Sequence, residues 1–409
     1  MEPLEAFSIS EHASLTYEQV ALNGEPVDPM TEERPDIPLG ERRMTVKIKP
    51  ADGGAVKSEE VYIKRVGKDC CRVYRRLESK RSVKKSDRNL QHGGNMYFAL
   101  RLERIKGIED EIYEEPEEDD GLEHLVAIKK QSLSKIEQAL SAGHHENPYT
   151  AIRRMQTIGD DIHVLSCVEA LKDKKNLYTI MPYCEGSIES LNDGSEEKAR
   201  SSIKKVWKNL HYLQKHGIVH HDLSPDNIMS YRGNLVLIDL AMSLIIPGDP
   251  SQRPLLRPQG TYGKLEFMTP EVFFCISTPP PFDPALSFDG FALDVWASGC
   301  ILYCLLTKYC LFSRPYHNDI MFRYFIMAKG LSNEPLNERT VEILIDVFQN
   351  CNDEADRQSL LIRAMAHVSK SAASINLLQK MLGLVPADRY TLAQCIESGW
   401  ARGELLLER

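Results

Sequence analysis

Hydrophobic and polar residues alternate in two neighbouring stretches near the start of the chain. The first, MTVKIKP, begins at Met44, and the second, EEVYIKRV, begins at Glu59. The turn-forming residues ADGG lie between them. A period of two is typical of a strand with one buried face, so a β-hairpin is predicted. Residues 1–40 show no clear period and are rich in Pro and Glu, which predicts a disordered or loosely attached segment.

Beyond Leu122 the pattern predicts a strand, a helix and two further strands. Their sequences are HLVAIKK, NPYTAIRRMQTI, VLSCVEAL and NLYTIMPY, and the last two are separated by the turn KDKK. The chain then becomes mainly helical. SEEKARSSIKKVWKNLHYLQKHG has helical spacing and a glycine stop, FALDVWASGCILYCLLT is almost wholly apolar, and a final helix ends at Trp400. A β-rich part followed by an α-rich part predicts an α+β chain.

Composition limits the class of protein. The chain has 409 residues, 42% hydrophobic and 27% charged, so two or three packing units with a sizeable core are expected. The net charge of -9 argues against nucleic acid or an anionic membrane as the main partner. Ten scattered cysteines without a CxxC pair indicate reduced thiols. We therefore expect a soluble cytoplasmic protein, with the nucleus as the alternative location; its oligomeric state is left open.

Two runs of charge interrupt the β-rich part. Arg72–Arg88 is basic, and Glu109–Asp120 is acidic. We interpret both as solvated surface loops. For the basic run, a role in nuclear import or docking is the alternative.

The most informative stretch is IVHHDLSPDNIM at Ile218–Met229, followed by LVLIDLA at Leu235–Ala241. Asp222, Asn227 and Asp239 fall here on two short apolar strands and the turn that joins them. A carboxylate at a strand end can orient a hydroxyl, and an Asn with an Asp can hold a hard cation.

These residues resemble the catalytic loop HRDxxxxN and the DFG motif of the protein kinase family. The resemblance implies a two-lobe kinase-like fold, with ATP and Mg²⁺ and a protein as substrate. It also implies that Asp222 is the catalytic base and that Asn227 and Asp239 bind the metal. VAIK at Val126–Lys129 resembles the motif whose lysine, here Lys129, contacts the α- and β-phosphates.

Further residues would surround the nucleotide. NLYTIMPYC resembles the strand and hinge at the adenine, with Met181 as gatekeeper and the Cys184 amide facing the ring. Proline at 182 is tolerable, because that position supplies only a carbonyl. The nucleotide-binding residues implied by the resemblance are Gly94, Met96, Ala127, Lys129, Met181, Pro182, Cys184 and Met229.

Three later motifs favour a protein acceptor over a small molecule. FMTPEVF at Phe267–Phe273 resembles APE, and DVWASG at Asp294–Gly299 resembles DxWSxG. In the family, the APE glutamate, here Glu271, pairs with an arginine that matches Arg389. We expect an N-terminal extension at 1–70, a kinase N-lobe at 71–183 and a C-lobe at 184–405.

Four departures from the family pattern bear on activity. The glycine-rich loop retains Gly94 but has Asn89 and Gln91 at the first two glycine positions. The helix that should offer a glutamate to Lys129 has Ala151 there, which leaves Glu146, Glu137 or Asp239 as alternative partners.

The other two departures lie in the catalytic motifs. His221 replaces an arginine that binds an activation-segment phosphate in the family, so control by such a phosphate is not expected. DLA replaces DFG, with Leu240 and Ala241 at its second and third positions.

One pair of residues has changed places relative to the family. The lysine expected two residues after the catalytic aspartate is Ser224, and the threonine expected before APE is Lys264. Because these positions face each other in the family, Lys264 is a third candidate catalytic residue, which would reach the transferred phosphate from the opposite side. A solvated surface lysine is the alternative.

Three functions remain open. An active Ser/Thr-type protein kinase is favoured by the presence of Lys129, Asp222, Asn227 and Asp239. A pseudokinase that binds or scaffolds is favoured by Ala151 and the altered glycine-rich loop, and a small-molecule kinase is the third. Transfer of phosphate from ATP to a protein separates the first two.

Overall fold

The computed structural model describes residues 19–20, 26–27, 34–65, 72–77, 95–107, 110–117, 122–142, 144, 146–246, 255–256, 263–277, 288–315, 319, 322, 371–383 and 386–404. The chain forms two compact units. The strand unit comprises residues 33–185 and 231–233, and the helical unit comprises residues 1–32, 186–230 and 234–409.

The strands of the described residues are β1 (Gln19–Val20), β2 (Pro26–Val27), β3 (Gly40–Lys49), β4 (Lys57–Arg65), β5 (Arg72–Arg76), β6 (Asn95–Arg104), β7 (Ile112–Glu114), β8 (Leu125–Ser132), β9 (Glu169–Lys172), β10 (Asn176–Pro182), β11 (Gly186–Ser187), β12 (Ile218–Val219), β13 (Ile228–Tyr231), β14 (Asn234–Leu237), β15 (Leu244–Ile245), β16 (Leu255–Leu256) and β17 (Phe288–Asp289). The α-helices are α1 (Leu133–Ser141), α2 (Pro148–Ile158), α3 (Glu196–Lys215), α4 (Pro270–Ser277), α5 (Gly290–Thr307), α6 (Ala372–Met381), α7 (Leu392–Ile396) and α8 (Gly399–Arg402).

The strand unit is built on an eight-stranded sheet of order β5-β4-β3-β7-β6-β8-β10-β9. Strand β5 also pairs with β6, so β3 to β7 close into a small barrel. Its interior is filled by apolar side chains, namely Val46, Ile48, Val61, Val73, Leu102 and Tyr113. Closure gives the backbone of all five strands a partner on both sides.

The predicted hairpin forms as β3 and β4, which pair antiparallel. It belongs to the barrel, because β3 pairs with β7 and β4 pairs with β5. The compact strand unit accordingly begins at Glu33, whereas we expected the N-lobe to begin at residue 71. The hairpin shares its buried face with the sheet and cannot be separated from it as an extension.

The expectation that the acidic run is a solvated loop is wrong for its described part. Residues Ile112–Glu114 form β7 between β3 and β6. Carboxylates of the run bind cations of the barrel, with Lys47 to Asp110 at 3.0 Å and Lys49 to Glu114 at 3.1 Å. The run forms a strand because its backbone pairs with β3 and β6 and Tyr113 is buried in the barrel. In the basic run, β5 is described and residues 78–88 lie outside the described part.

Helices α1 and α2 pack on the sheet through an apolar cluster made by Ile37, Ile136, Tyr149, Ile152, Ala170 and Leu177. Helix α2 forms as predicted. It begins after Asn147, whose side chain accepts hydrogen bonds from the amides of Tyr149 and Thr150, and Pro148 occupies its first turn.

Strand β9 starts at Glu169, whereas the pattern predicted a strand from Val164. The carboxylate of Asp160 accepts hydrogen bonds from the amides of Ile162, His163 and Val164. These backbone amides therefore bond to a nearby side chain and not to a neighbouring strand.

Helix α5 is the centre of the helical unit. Most of it is apolar and buried on all sides, as its sequence predicted. By length and composition it is the one helix among the described residues that could cross a membrane, and 94% of it is buried inside the protein. It packs on α3, where Trp207 Nε1 donates to Ser298 Oγ at 3.3 Å.

Part of the N-terminal segment is ordered into strands. Strands β1 and β2 pair antiparallel, and Gln19 of β1 is the partner of Leu256 in β16. The prediction of a disordered or loosely attached segment is therefore wrong for residues 19–20 and 26–27. The rest of residues 1–33 lies outside the described part.

Candidate active site

Asp222 is held by hydrogen bonds on two sides. Its amide donates to Nδ1 of His220 at 3.3 Å. Nδ2 of Asn227 donates to its backbone carbonyl at 2.7 Å and to Oδ2 of its carboxylate at 3.0 Å. The 3₁₀ turn Pro225–Asn227 brings Asn227 back to Asp222. One carboxylate oxygen is thus used to fix the orientation of the side chain.

His220 supports Asp222 as a neutral imidazole. Its Nε2 lies 3.2 Å from the carbonyl oxygen of Ile238, so Nε2 carries the proton and Nδ1 accepts from Asp222. Complete burial lowers the pKa of His220 to about 4. The ring is therefore uncharged at neutral pH and keeps this single tautomer.

Asp294 anchors the backbone before Asp222. Its carboxylate accepts hydrogen bonds from the amides of His220 at 2.8 Å and His221 at 3.1 Å. His221 has a φ of 65°, a left-handed conformation that a non-glycine residue seldom adopts. Burial raises the pKa of Asp294 to about 7, although both hydrogen bonds act to lower it. These bonds stabilise the sharp backbone path that presents Asp222.

Asn227 and Asp239 lie on neighbouring strand ends. The amide of Ile238 donates to the carbonyl of Asn227 at 3.0 Å, which brings the residue before Asp239 against Asn227. Because Nδ2 of Asn227 is bound to Asp222, its Oδ1 is the atom left to bind a ligand. Asp239 is left-handed, with a φ of 59°, and Leu240–Met242 continue as a 3₁₀ turn. Ala241 is helical in that turn, so alanine replaces glycine without backbone strain.

Lys264 lies against Ser224, as the exchanged positions predicted. Its Nζ is 2.8 Å from Ser224 Oγ and 2.6 Å from Asp226 Oδ2. The side chain of Lys264 is 30% exposed, so its ammonium is held and not freely solvated. The preceding Gly263 has a φ of 72°, and a Cβ there would lie 3.1 Å from Asp222 Oδ1. Glycine allows this segment to approach Asp222.

Glu271 and Arg389 form the ion pair that the resemblance implied. The two guanidinium nitrogens Nη1 and Nη2 lie 2.5 and 2.6 Å from the two carboxylate oxygens. The side chain of Arg389 is fully buried and that of Glu271 is 14% exposed. Arg389 also donates to the carbonyls of Gly383 and Ala292. This bidentate pair joins α4 to the segment after α6.

The candidate nucleotide residues of the strand unit lie on three adjacent strands. Lys129 is 8% exposed on β8, opposite Met96 of β6 and Thr179 of β10. Met181 is buried and is the partner of Ala127. Gly94, Asn89 and Gln91 lie outside the described residues.

Beyond β10, the amide of Tyr183 donates a hydrogen bond to the carbonyl of Leu125 at 3.1 Å. Among the described residues, the amide of Cys184 has no hydrogen-bond partner. Burial raises the pKa of the Cys184 thiol to about 12, so this side chain is a neutral thiol. In the helical unit, Met229 is half-buried on β13.

Helix α2 presents no carboxylate, because its sequence is PYTAIRRMQTI, and Ala151 is on its buried face. Glu137, one of the alternative partners for Lys129, is engaged elsewhere. Its two oxygens accept from Arg34 at 2.7 and 3.1 Å, and Tyr149 also donates to it.

Comparison with known proteins decides the family. A family model described as the protein kinase domain matches residues 117–401, which is more than half of the chain. This chain belongs to the protein kinase family. The strand-rich and helical units are those of the two-lobe kinase fold.

Curated proteins similar to this chain include serine/threonine kinases by name and sperm motility kinases. Serine/threonine-protein kinase PRR2 of Saccharomyces cerevisiae is 24% identical over 246 residues, covering 59% of this chain and 33% of that protein. Sperm motility kinase 2B of Mus musculus is 32% identical over 167 residues, covering 39% of this chain and 31% of that protein. The kinase thus spans about a third of the length of these curated relatives.

Three contributors to the site of the kinase were not predicted from its sequence. These are the hydrogen bonds of His220, the approach of Gly263 to Asp222, and the carboxylate of Asp226 on Lys264. The contact of Asp226 with Lys264 could have been predicted, because Asp226 is two residues after Ser224 in the same turn. The contact of Gly263 joins positions 41 apart and has no local signal.

Proposed function

We propose that the chain is an active protein kinase that transfers the γ-phosphate of ATP to Ser or Thr hydroxyls of protein substrates. The observation that carries this proposal is the support of Asp222. Its amide is bound to His220, its carboxylate to Asn227, and a lysine lies within the same loop system. Such fixed orientation is what a general base needs, since reaction rates depend on the geometry of the reacting atoms.

Asp222 is proposed to accept the proton of the acceptor hydroxyl. The hydroxyl oxygen forms a bond to the γ-phosphorus, and the bond from that phosphorus to the β,γ-bridging oxygen breaks. ADP is released, and the proton leaves through the Asp222 carboxylate. Asn227 holds the carboxylate in this orientation by its hydrogen bond to Oδ2.

Asn227 and Asp239 are proposed to hold Mg²⁺. Their oxygens are hard donors, and Mg²⁺ needs only one or two carboxylates or amides because it keeps waters and phosphate oxygens. In the described part of the chain, no group of three or more His, Cys, Asp or Glu side chains is arranged to bind a metal. Two protein ligands, Asn227 and Asp239, fit a metal that binds together with a nucleotide, because the phosphates supply further oxygens. When bound, Mg²⁺ neutralises charge on the phosphates.

The strand unit is proposed to bind the nucleotide itself. Lys129 supplies a cation for the phosphates, and the Cys184 amide, which has no partner among the described residues, can donate to adenine. Pro182 keeps a carbonyl for the same ring. Met96, Ala127 and Met181 contribute apolar surface.

Lys264 is proposed to stabilise the transferred phosphate. Its ammonium lies beside Ser224 in the turn that follows Asp222. In this role it supplies the cation that the family places at the position of Ser224. The names of the curated relatives favour Ser and Thr acceptors. A cytoplasmic location is proposed from the scattered cysteines, which indicate reduced thiols, with the nucleus as the alternative.

A phosphotransfer assay tests the proposal. The full chain is incubated with γ-labelled ATP and a generic protein substrate, with Mg²⁺ or with a chelator, and the Asp222→Ala chain serves as the control. Label on Ser or Thr that requires both Mg²⁺ and Asp222 is expected. A chain that binds ATP without any transfer would instead be a pseudokinase, the function that Ala151 favours.

A further inference from the structure

Several cations of the barrel form ion pairs with carboxylates of the same unit. Lys64 binds Glu111, and Arg75 binds both Glu59 and Glu115. Several other cations of the strand unit have no such partner among the described residues. Arg42 of β3, Arg76 of β5 and Lys130 of β8, here called the cation cluster, form no ion pair in the described part of the chain.

Two members of the cation cluster lie over adjoining tyrosine rings. The guanidinium carbon of Arg42 is 5.3 Å from the centre of the Tyr62 ring, and that of Arg76 is 4.5 Å from the centre of the Tyr97 ring. The two ring centres are 5.2 Å apart. Arg42 is also 6.0 Å from the ring centre of Tyr178. Stacking on aromatic rings holds both guanidinium groups in place.

Lys130 completes the cluster, since it is the cross-strand partner of Tyr178. Burial lowers the pKa of Lys130, and the positive charge of Arg42 lowers it further. Asp173 attracts Lys130, but its oxygens accept hydrogen bonds from the Tyr178 hydroxyl at 2.6 Å and from the amide of Asn176. Lys130 and Arg42 therefore lie near each other, and neither forms an ion pair with a carboxylate among the described residues.

A stacked guanidinium still has N–H groups in its plane that can donate to an anion. In Arg42, the Nε atom is buried and has no hydrogen-bond partner among the described residues. A planar fork of N–H donors matches phosphate oxygens, and a lysine adds a point charge. A cluster of positive charge favours an anion of charge between about -1.5 and -2, which is that of a phosphomonoester at neutral pH.

We propose that the cation cluster of Arg42, Arg76 and Lys130 is a binding site for a phosphomonoester. The site lies on β3, β5 and β8 of the strand unit, and its proposed ligand is distinct from the transferred phosphate of ATP. The chemistry of the site is shared by a phosphorylated side chain and by free phosphate. It does not depend on the proposed phosphotransfer.

Binding is tested on the full chain with three probes at constant ionic strength. These are a peptide with one phosphoserine, the same peptide without phosphate, and inorganic phosphate. Calorimetry gives the Kd, and thermal denaturation gives the rise in Tm that a ligand of the native state produces. We expect the phosphopeptide to bind and its unphosphorylated form not to bind. If inorganic phosphate binds equally well, the free ion is the ligand; if the phosphopeptide binds more tightly, the ligand is a modified protein.

Substitutions locate the anion. Arg42→Gln and Lys130→Gln should each weaken binding by about tenfold or more, since each removes a charge-assisted contact. Lys57→Gln is the matched control, because Lys57 is an exposed cation of β4 without an ion pair among the described residues. Absence of binding by every probe would refute the site, as would equal affinity in Arg42→Gln, which would put the anion elsewhere.

A second measurement separates ligand binding from a purely structural role. Without ligand, Lys130→Gln should keep or raise the Tm, because it removes repulsion between Lys130 and Arg42. If the cation cluster only stabilised the strand unit, Lys130→Gln would lower the Tm. A lower Tm in Lys130→Gln together with unchanged phosphopeptide affinity would therefore overturn the proposal.

Discussion

The Nζ atom of Lys264 lies 2.8 Å from Oγ of Ser224, although the two residues are forty positions apart. By resemblance to the family, Ser224 occupies the position of a lysine and Lys264 the position of a threonine. The same two chemical groups are therefore present, each on the other segment. Asp226 binds the same ammonium at 2.6 Å, which fixes it beside the catalytic turn.

Lys264→Thr should lower turnover by tenfold or more, and Ser224→Lys added to it should restore a good part. An ammonium about 4 Å from a phosphate oxygen contributes about 4 kcal/mol at an effective dielectric of about 20, before desolvation is subtracted. Each ~1.36 kcal/mol of this changes the rate about tenfold. The coupling is measured by kcat in a double-mutant cycle. Simple additivity of the two changes would show that the residues share no role.

Asp222→Ala should abolish transfer and leave nucleotide affinity nearly unchanged. The Asp222 carboxylate is directed by Asn227 and Gly263 within the helical unit, and its proposed contact is the acceptor hydroxyl. Loss of a general base lowers rates by about 10²- to 10⁴-fold. Single-turnover kinetics and ATP titration check both quantities. Equal losses of affinity and turnover would contradict the assignment.

Asp239→Asn should remove the Mg²⁺-dependent part of the stabilisation by ATP. A metal held by one carboxylate and one amide loses its only charged protein ligand in this variant. The measurement is the Tm with ATP, in the presence of Mg²⁺ and of a chelator. A shift equal to that of the unsubstituted chain would mean that Asp239 is not the metal ligand.

Glu271→Ala should lower the free energy of unfolding by about 3–5 kcal/mol, because it leaves the fully buried guanidinium of Arg389 without a counterion. Glu404→Ala is the matched control. It breaks a pair with Arg402 in which the side chains are 55% and 58% exposed, and exposed pairs contribute less than about 1 kcal/mol. Urea denaturation of both variants measures the difference. Equal losses of stability in the two variants would indicate that the Arg389 guanidinium reaches solvent or another partner when Glu271 is removed.

His220→Phe should make stability less sensitive to acid. The native pKa of His220 is about 4 and its ordinary value is 6.5, so between these values the unfolded chain binds a proton that the native chain does not. Stability from His220 is present above pH 6.5 and is lost as the pH falls, by an amount on the order of 3 kcal/mol.

The measurement for His220→Phe is urea denaturation at pH 5 and pH 7. Asp294, whose pKa is raised to about 7, acts with the opposite sign, since its protonated form is favoured in the native state and this contribution is lost as the pH rises. Both proteins keep Asp294, so their difference isolates the imidazole. An identical loss of stability at pH 5 in both would exclude His220 as the titrating group.

Several secondary structure elements after Leu122 were available from local patterns, whereas helix α1 (Leu133–Ser141) was not predicted. The helical period of α3 and the apolar run of α5 lie within single segments, and both helices form as predicted. The spacing of Asp222, Asn227 and Asp239 is also local, because all three lie on one turn and the strands around it. Chemistry carried by contiguous residues can be recognised without knowing the fold.

Charge patterns were misleading because their meaning depends on the neighbouring strands. The acidic residues around β7 resemble a solvated loop in isolation. They form a strand because its backbone pairs with β3 and β6 and because Tyr113 is buried in the barrel. The lysines that pair with the acidic run are more than forty positions away. The hairpin likewise resembles a separable extension until its pairing with β5 and β7 is known.

The sequence by itself determined the family and the candidate catalytic residues, since a kinase needs particular side chains at fixed local spacing. Only the tertiary structure decided which groups hold those side chains. The bonds of Asp294 to the His220 amide and of Glu271 to Arg389 join residues 74 and 118 positions apart. Such contacts depend on how whole elements pack, because burial and hydrogen-bond geometry are properties of the assembled core and not of any segment in it.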